Sequence, residues 1–239
     1  MKPVYRSQIY QFLAYLQRNN EIPAGKNTIL DCGAGGLVPP LGLFYEYGFS
    51  TYGIDISDDQ IARAHAFEMD QKMTLNIQKG DMRAIPFPDD HFDFVYELYS
   101  MVHLPKDDIQ KSLSEMYRVL KPNGVCFVSF MSMDCWPMDG QEKKSGEFLC
   151  REHGQHVIHS VFSDSEALQY CANWLILNMI KQSILSPDEI SQMSLSEWEK
   201  YYTDNQLAVD QQEWMQAYPQ RLERWKNVHI FFTLRKMKQ

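Results

Sequence analysis

Glycines and carboxylates recur at the ends of apolar runs, where a ligand would meet them. Asp31 follows Thr28-Ile29-Leu30, and Gly33 and Gly35 come directly after it. Residues without side chains let a backbone turn sharply and approach a ligand closely. Asp55 ends a second run, Ser50 to Ile54, and Asp81 follows a third inside Gly80-Asp81-Met82. Carboxylates in such places accept hydrogen bonds from ligand hydroxyls or amines; the plainer alternative is a helix cap or an ordinary turn. A dinucleotide-binding loop wants its third glycine where Val38 stands, ahead of Pro39-Pro40, which demotes a nicotinamide or flavin module. Cys150, His153, His156 and His159 stand at intervals of three. That spacing matches no common zinc motif, and an extended chain would send alternate members to opposite faces. No metal site is expected.

Stepping along the chain shows what must position these groups. Val4, Ile9, Phe12, Leu13 and Leu16 recur at helical spacing up to Asn19-Asn20. The run Thr28 to Cys32 reads as a buried strand, followed by the glycine turn and a helix between Pro39-Pro40 and Gly48. Ser50 to Asp55 repeats the unit, with Ser57 or Asp58 offering a cap to a helix through Phe67. Leu75 to Gln78, Phe92 to Tyr96 and Val125 to Phe130 read as further strands. An amphipathic helix from Asp107 to Leu120 precedes the last of these, and Lys121-Pro122-Asn123-Gly124 stops it. Ser163 to Glu166 has capping-box spacing, and Trp174 to Ile184 and Val228 to Leu234 read as closing strands. Strands alternating with helices make an α/β protein with a parallel sheet covered on both faces, and ligands bind beyond the carboxyl ends of such strands.

Over residues 28–130 the sequence resembles the class I S-adenosylmethionine-dependent methyltransferases, particularly the small ones that act on diverse metabolites. Thr28 to Gly35 is similar to their first motif, whose acidic residue and glycines surround the methionine end of the cofactor. Asp55 matches the acidic residue that pairs with the ribose hydroxyls, and Gly80-Asp81-Met82 the segment that frames adenine. Glu115 to Gly124 is similar to the family's helix-to-turn entry into the fifth strand. Leu37 and Asn123 depart from positions where glycine is usual in the family. The resemblance implies a doubly wound, mostly parallel, seven-stranded sheet with the last strand antiparallel. It implies S-adenosylmethionine as cofactor, S-adenosylhomocysteine as product, and contacts from Asp31, Cys32, Gly33, Ala34, Gly35, Asp55, Ile56, Gln60, Asp81, Met82 and Glu97. Backbone amides at the start of the helix after Gly36 are expected to face the donor's carboxylate.

Methyl transfer from a sulfonium is an in-line displacement that needs alignment more than an acid, a base or a metal. Glu97, Tyr99 and His103, in the loop after the fourth strand, are the candidates to lie beside the reacting methyl. His103 reads either as structural support or as a base, and Glu97 as an acid/base group, a cofactor-amine contact or a partner of the backbone. Met131, Met133, Trp136 and Met138 are pocket lining or simple packing.

The formal charge is -8, and no basic patch offsets it, so a nucleic-acid substrate is not expected. Five widely spaced cysteines point to reduced thiols, and neither a leader nor a membrane span is legible, which makes a soluble cytoplasmic chain the expectation. One domain over residues 1–239 is expected. It comprises an N-terminal helix in 1–26, a cofactor core in 27–184, a helical cover in 185–227 and a final strand with its tail in 228–239. The partner would be a small-molecule methyl acceptor, with the chain a monomer or homodimer. The competing reading is a non-catalytic domain that binds the cofactor or its product and regulates another protein.

Overall fold

The computed structural model describes residues 3–135, 140–152, 155–184 and 227–237. The predicted cover over 185–227 lies, apart from Asn227, outside the described residues, as do Trp136, Met138 and His153.

Helix α1 (Ser7–Arg18) buries Ile9, Phe12, Leu13 and Leu16 on the predicted face. Strand β1 (Thr28–Cys32) leads through the glycine turn to α2 (Leu41–Glu46), and β2 (Ser50–Asp55) leads to α3 (Asp58–Gln71). Ser57 caps α3 by accepting the Gln60 amide, and Asp58 and Asp59 complement its dipole. Then follow β3 (Ile77–Lys79), β4 (Phe92–Tyr96), a turn of 3₁₀ helix (Met101–His103), α4 (Lys106–Val119) and β5 (Leu120–Ser132). Asn123 takes a left-handed conformation, φ 64°, at the turn that starts β5, as an asparagine can where glycine is usual.

Seven strands form the expected sheet, in the order β3-β2-β1-β4-β5-β10-β9, with β9 (Leu175–Ile184) and β10 (Asn227–Arg235) closing it. The first five run parallel, β10 runs antiparallel to β5, and β9 runs antiparallel to β10 and therefore along β5. Alternate residues face opposite layers. Phe94, Tyr96, Val125 and Phe127 pack with α1, α2 and α3, whereas Val95, Cys126, Val128 and Phe232 pack with α4 and α5 (Asp164–Tyr170).

The sheet goes beyond seven strands. An antiparallel meander of β6 (Gln141–Lys144), β7 (Glu147–Glu152) and β8 (Gln155–Phe162) joins it, a feature absent from the sequence expectation. Strand β4 pairs with β5 as far as Tyr96 and Phe127; β8 pairs with Met131 and Ser132 of the same strand, whose other edge is taken by β10. The meander thus stands above the carboxyl end of β4. Glu147 anchors it by accepting the Lys106 amide at the start of α4 (2.9 Å), and Ser160 donates to the Leu104 carbonyl (2.7 Å). All five cysteines are buried outside any disulfide, and no described helix is long and apolar enough to cross a membrane.

Candidate active site

The carboxyl ends of β1, β2 and β4, together with the segment entering α1, surround a cavity of about 900 Å³. Of the predicted residues, Gly33, Gly35, Asp55, Ile56, Gln60, Asp81, Met82, Tyr99 and His103 line it. The turn that forms its floor folds back on β2, since the amides of Gly33 and Ala34 both donate to the Ile54 carbonyl (2.8 and 3.0 Å). Gly33 has φ 114°, and a Cβ there would overlap the Ser100 hydroxyl. A Cβ on Gly35 would lie 2.6 Å from Asp55 Oδ2 and closer still to Gln60. Both glycines are therefore required by the close approach of the Ser100, Gln60 and Asp55 side chains to the turn.

Asp55 braces this loop. Oδ2 accepts the Gly35 amide (2.9 Å) and Oδ1 accepts the Ser57 amide (2.8 Å), which leaves each oxygen a further lone pair. Asp81 is gripped by Arg83, whose Nη2 donates to Oδ2 (2.7 Å) and whose own amide donates to Oδ1 (2.9 Å). The guanidinium holds the Asp81 carboxyl below the usual carboxylate range, and Arg83 also reaches Asp108 (2.8 Å). Ile56 and Met82 add apolar surface on this side of the cavity.

Four predicted contacts stand behind the wall. Cys32 and Ala34 are fully buried, and Asp31 is 2% exposed at the end of β1. Burial pushes the Asp31 carboxyl well up, with the nearby Tyr96 hydroxyl opposing the shift. Asp31 Oδ2 and Tyr96 Oη nonetheless lack a hydrogen bond of good geometry. Glu97 is fully buried and its oxygens are spent. Oε2 accepts the amides of Ser100 (3.0 Å) and Met101 (2.8 Å), and Oε1 accepts the Ser129 amide (2.8 Å) and hydroxyl (2.7 Å). Burial raises its carboxyl, and these donors oppose the rise.

The same Ser129 oxygen accepts the Tyr99 amide (2.9 Å), and Tyr99 sits at φ 65°, a conformation costly for a bulky residue. A relay from Tyr99 through Ser129 to Glu97 thus holds a strained backbone on the cavity wall. Arg6 and His229, which the sequence did not mark, gather around it with His103 and His159, which it did. Arg6 lies over the Tyr99 ring, 4.9 Å from its centroid, and His229 of β10 meets its edge at 4.7 Å. His103 packs against His159 of β8, with centroids 5.2 Å apart. Tyr5, Arg6 and Arg63 also line the cavity. Their helical stretches read from sequence as ordinary amphipathic surfaces, so no local signal marked them; Ser100 was within reach, being inside the named loop.

The helix after the glycine turn begins at Leu41, just beyond Pro39-Pro40 as read from the sequence, and the Gly36 amide is bound to the Gln60 carbonyl (3.0 Å). One expectation is corrected. The predicted strand before Gln78 begins only at Ile77, because Asn76 turns left-handed with φ 55°. Among the described residues no group of three or more His, Cys, Asp or Glu side chains converges as a metal site. Met133 is 57% exposed, away from any packed lining.

A family profile described as "Methyltransferase domain" matches residues 30–128. The sterol 24-C-methyltransferase of Pneumocystis carinii is 35% identical over 102 residues, 41% of this chain and 26% of its own length. An uncharacterized methyltransferase of Bacillus subtilis is 26% identical over 191 residues, 79% of this chain and 60% of its own. The chain thus spans about a quarter of the first of these relatives and less than two thirds of the second. The crystal structure of a SAM-dependent methyltransferase from Methanosarcina mazei superposes with a TM-score of 0.64 at 17% identity, covering 93% of this chain and 98% of that one. The cofactor that belongs with this domain is S-adenosylmethionine, with S-adenosylhomocysteine its product. The matched span runs from the glycine turn through the braced carboxylate of β2 to β5, and it makes residues 30–128 a methyltransferase domain of the class I, S-adenosylmethionine-dependent kind.

Proposed function

We propose that the chain transfers the methyl group of S-adenosylmethionine to a small-molecule acceptor in the cavity at the carboxyl ends of β1, β2 and β4. The observation that carries the reading is the pairing of Gly35 with Asp55: a turn stripped of side chains, braced by a carboxylate that retains a lone pair on each oxygen. Such a carboxylate suits the two hydroxyls of a ribose, and the absence of side chains at Gly33 and Gly35 lets Ser100, Gln60 and Asp55 close in on the turn beside it. When bound, the cofactor supplies an electrophilic methyl on a sulfonium.

The chain's residues then divide by task. Asp55 takes the ribose diol, Ile56 and Met82 offer flanking apolar surface to the base, and Asp81, with lone pairs beyond those Arg83 uses, accepts from its amine. Gln60 supports the turn through its carbonyl. Asp31, Cys32 and Ala34 contribute as the buried seat of the loop. Glu97 is a positioning residue, since every oxygen is committed to the loop that carries Tyr99. Tyr99 and His103 face the reacting end, and alignment of two reactants there is worth roughly 7–11 kcal/mol of barrier. Exposed apolar side chains at the rim, Leu37 (70% exposed) and Val38 (44%), support an acceptor with apolar surface.

Thermal denaturation with S-adenosylhomocysteine, followed by a methyl-release assay across a broad metabolite set, tests the proposal. Ligand at about 100 times its Kd should add about 2.7 kcal/mol of stability. A shift with NAD and none with either adenosyl compound would overturn the binding assignment. Binding without methyl release to any acceptor would favour the regulatory alternative.

A further inference from the structure

Arg83, Arg118 and Arg235 are each tied to a carboxylate: Arg83 to Asp81 and Asp108, Arg118 to Glu115 and Asp89, and Arg235 to Glu21. Among the described residues no carboxylate pairs with Arg6, Arg18 or Arg63, and of these Arg6 and Arg63 line the cavity; the Arg6 guanidinium lies over the Tyr99 ring on its wall. The acids of the cavity are already engaged, Asp55 by two backbone amides and Asp81 by Arg83. His229 is 4% exposed against the edge of Tyr99, and its Nδ1 has no hydrogen-bond partner. Arg6 is thus a solvent-exposed cation on the cavity lining, resting against an aromatic wall with no carboxylate partner. Stacking fixes the plane of a guanidinium and leaves its fork of donors free along the edge, the geometry that matches a carboxylate.

We infer that Arg6 is a carboxylate-binding residue of this cavity, holding an acid carried either by the amino-acid tail of the cofactor or by the methyl acceptor. The first of these sources rests on the reading of the cavity as an S-adenosylmethionine site; the second does not need it. Relative to a counterpart without the carboxylate, either acid should be preferred through Arg6.

Calorimetric titration of the wild-type chain, Arg6→Gln and Arg6→Lys with two ligand pairs decides the matter. The first pair is S-adenosylhomocysteine and 5′-methylthioadenosine, which lacks the amino-acid tail. The second is benzoate and benzamide, with and without saturating S-adenosylhomocysteine. Arg6→Gln should reduce the preference for the acid about tenfold or more in one pair, the scale of a hydrogen bond to a charged group, and Arg6→Lys should recover part of it. Loss in the first pair identifies the cofactor tail, and loss in the second identifies the acceptor. Preferences within about twofold of wild type in both pairs would overturn the inference. Failure of the wild-type chain to bind either adenosyl compound would count against the methyltransferase reading, while the benzoate pair would still judge Arg6.

Discussion

At the scale of single residues, Asp55 does two things at once, and the two are separable. Its oxygens hold the amides of Gly35 and Ser57 while each retains a lone pair on the cavity side. Asp55→Asn keeps one acceptor oxygen for the loop but removes the charge and puts an amide where a hydroxyl should donate. Affinity for S-adenosylhomocysteine should fall by about 1.5–3 kcal/mol, the worth of a charged hydrogen bond, while the unliganded chain loses about 1 kcal/mol or less. Calorimetry and denaturant melts measure the two effects independently; undiminished affinity would remove the ribose role from Asp55. This residue was legible from sequence because a carboxylate at a strand end needs no tertiary information to be noticed. The grip of Arg83 on Asp81 carries no distinct sequence signal, although only Met82 separates the two, because Gly-Asp also makes common turns.

At the scale of elements, the loop after β4 shows how a predicted catalytic group becomes a scaffold. Glu97 accepts four donors drawn from two segments, Ser100-Met101 and Ser129. Replacing it with Gln exchanges one acceptor oxygen for an NH₂ that faces other donors. An unsatisfied buried group costs about 1–3 kcal/mol, so Glu97→Gln should lower stability by that amount. Faster amide exchange should appear at Tyr99, Ser100 and Met101 and not in α3. Uniform exchange across the chain would show that Glu97 acts on the whole core rather than on this loop. Sequence reasoning left three roles open for Glu97, and the tie to β5 supports the reading as a partner of the backbone. The partner Ser129 lies 32 residues away in the chain, beyond any local pattern.

At the scale of the whole molecule, the sheet carries a pH dependence rooted in β10. His229 is buried, and burial, with Arg6 and His159 adding to it, pulls its pKa down to about 3 from the ordinary 6.5. The folded chain therefore keeps this imidazole neutral where the unfolded chain takes up a proton, and stability is lost as pH falls below 6.5 toward 3. Between pH 6.5 and about 5.5 the loss from His229 alone should be about 1 kcal/mol. Denaturant melts across that window, with His229→Gln as the comparison, should show the slope in the wild-type chain and its reduction in the variant. Equal slopes would place the acid sensitivity elsewhere. Asp93 adds a second, lower descent. Its carboxyl is held down by Lys121 and Thr28 against the effect of burial, so its contribution is present above the ordinary carboxylate range and is lost as pH falls through the depressed value.

The sequence by itself determined the alternation of strands and helices that makes a parallel sheet, the glycine turn and the acids at successive strand ends; the reversed last strand was implied only by the family resemblance. Those features are local: apolar periodicity, glycine spacing and turn residues act over a few positions. Only the tertiary structure decided which of the marked residues reach the cavity and which stand behind it. It also added the meander β6 to β8, whose place depends on β5 outrunning β4 and leaving an edge open at Met131 and Ser132. The wall at the reacting end likewise joins Arg6, Tyr99 and His229, and His103 with His159, across most of the chain. Such a convergence arises from long-range packing, and no spacing within the sequence records it.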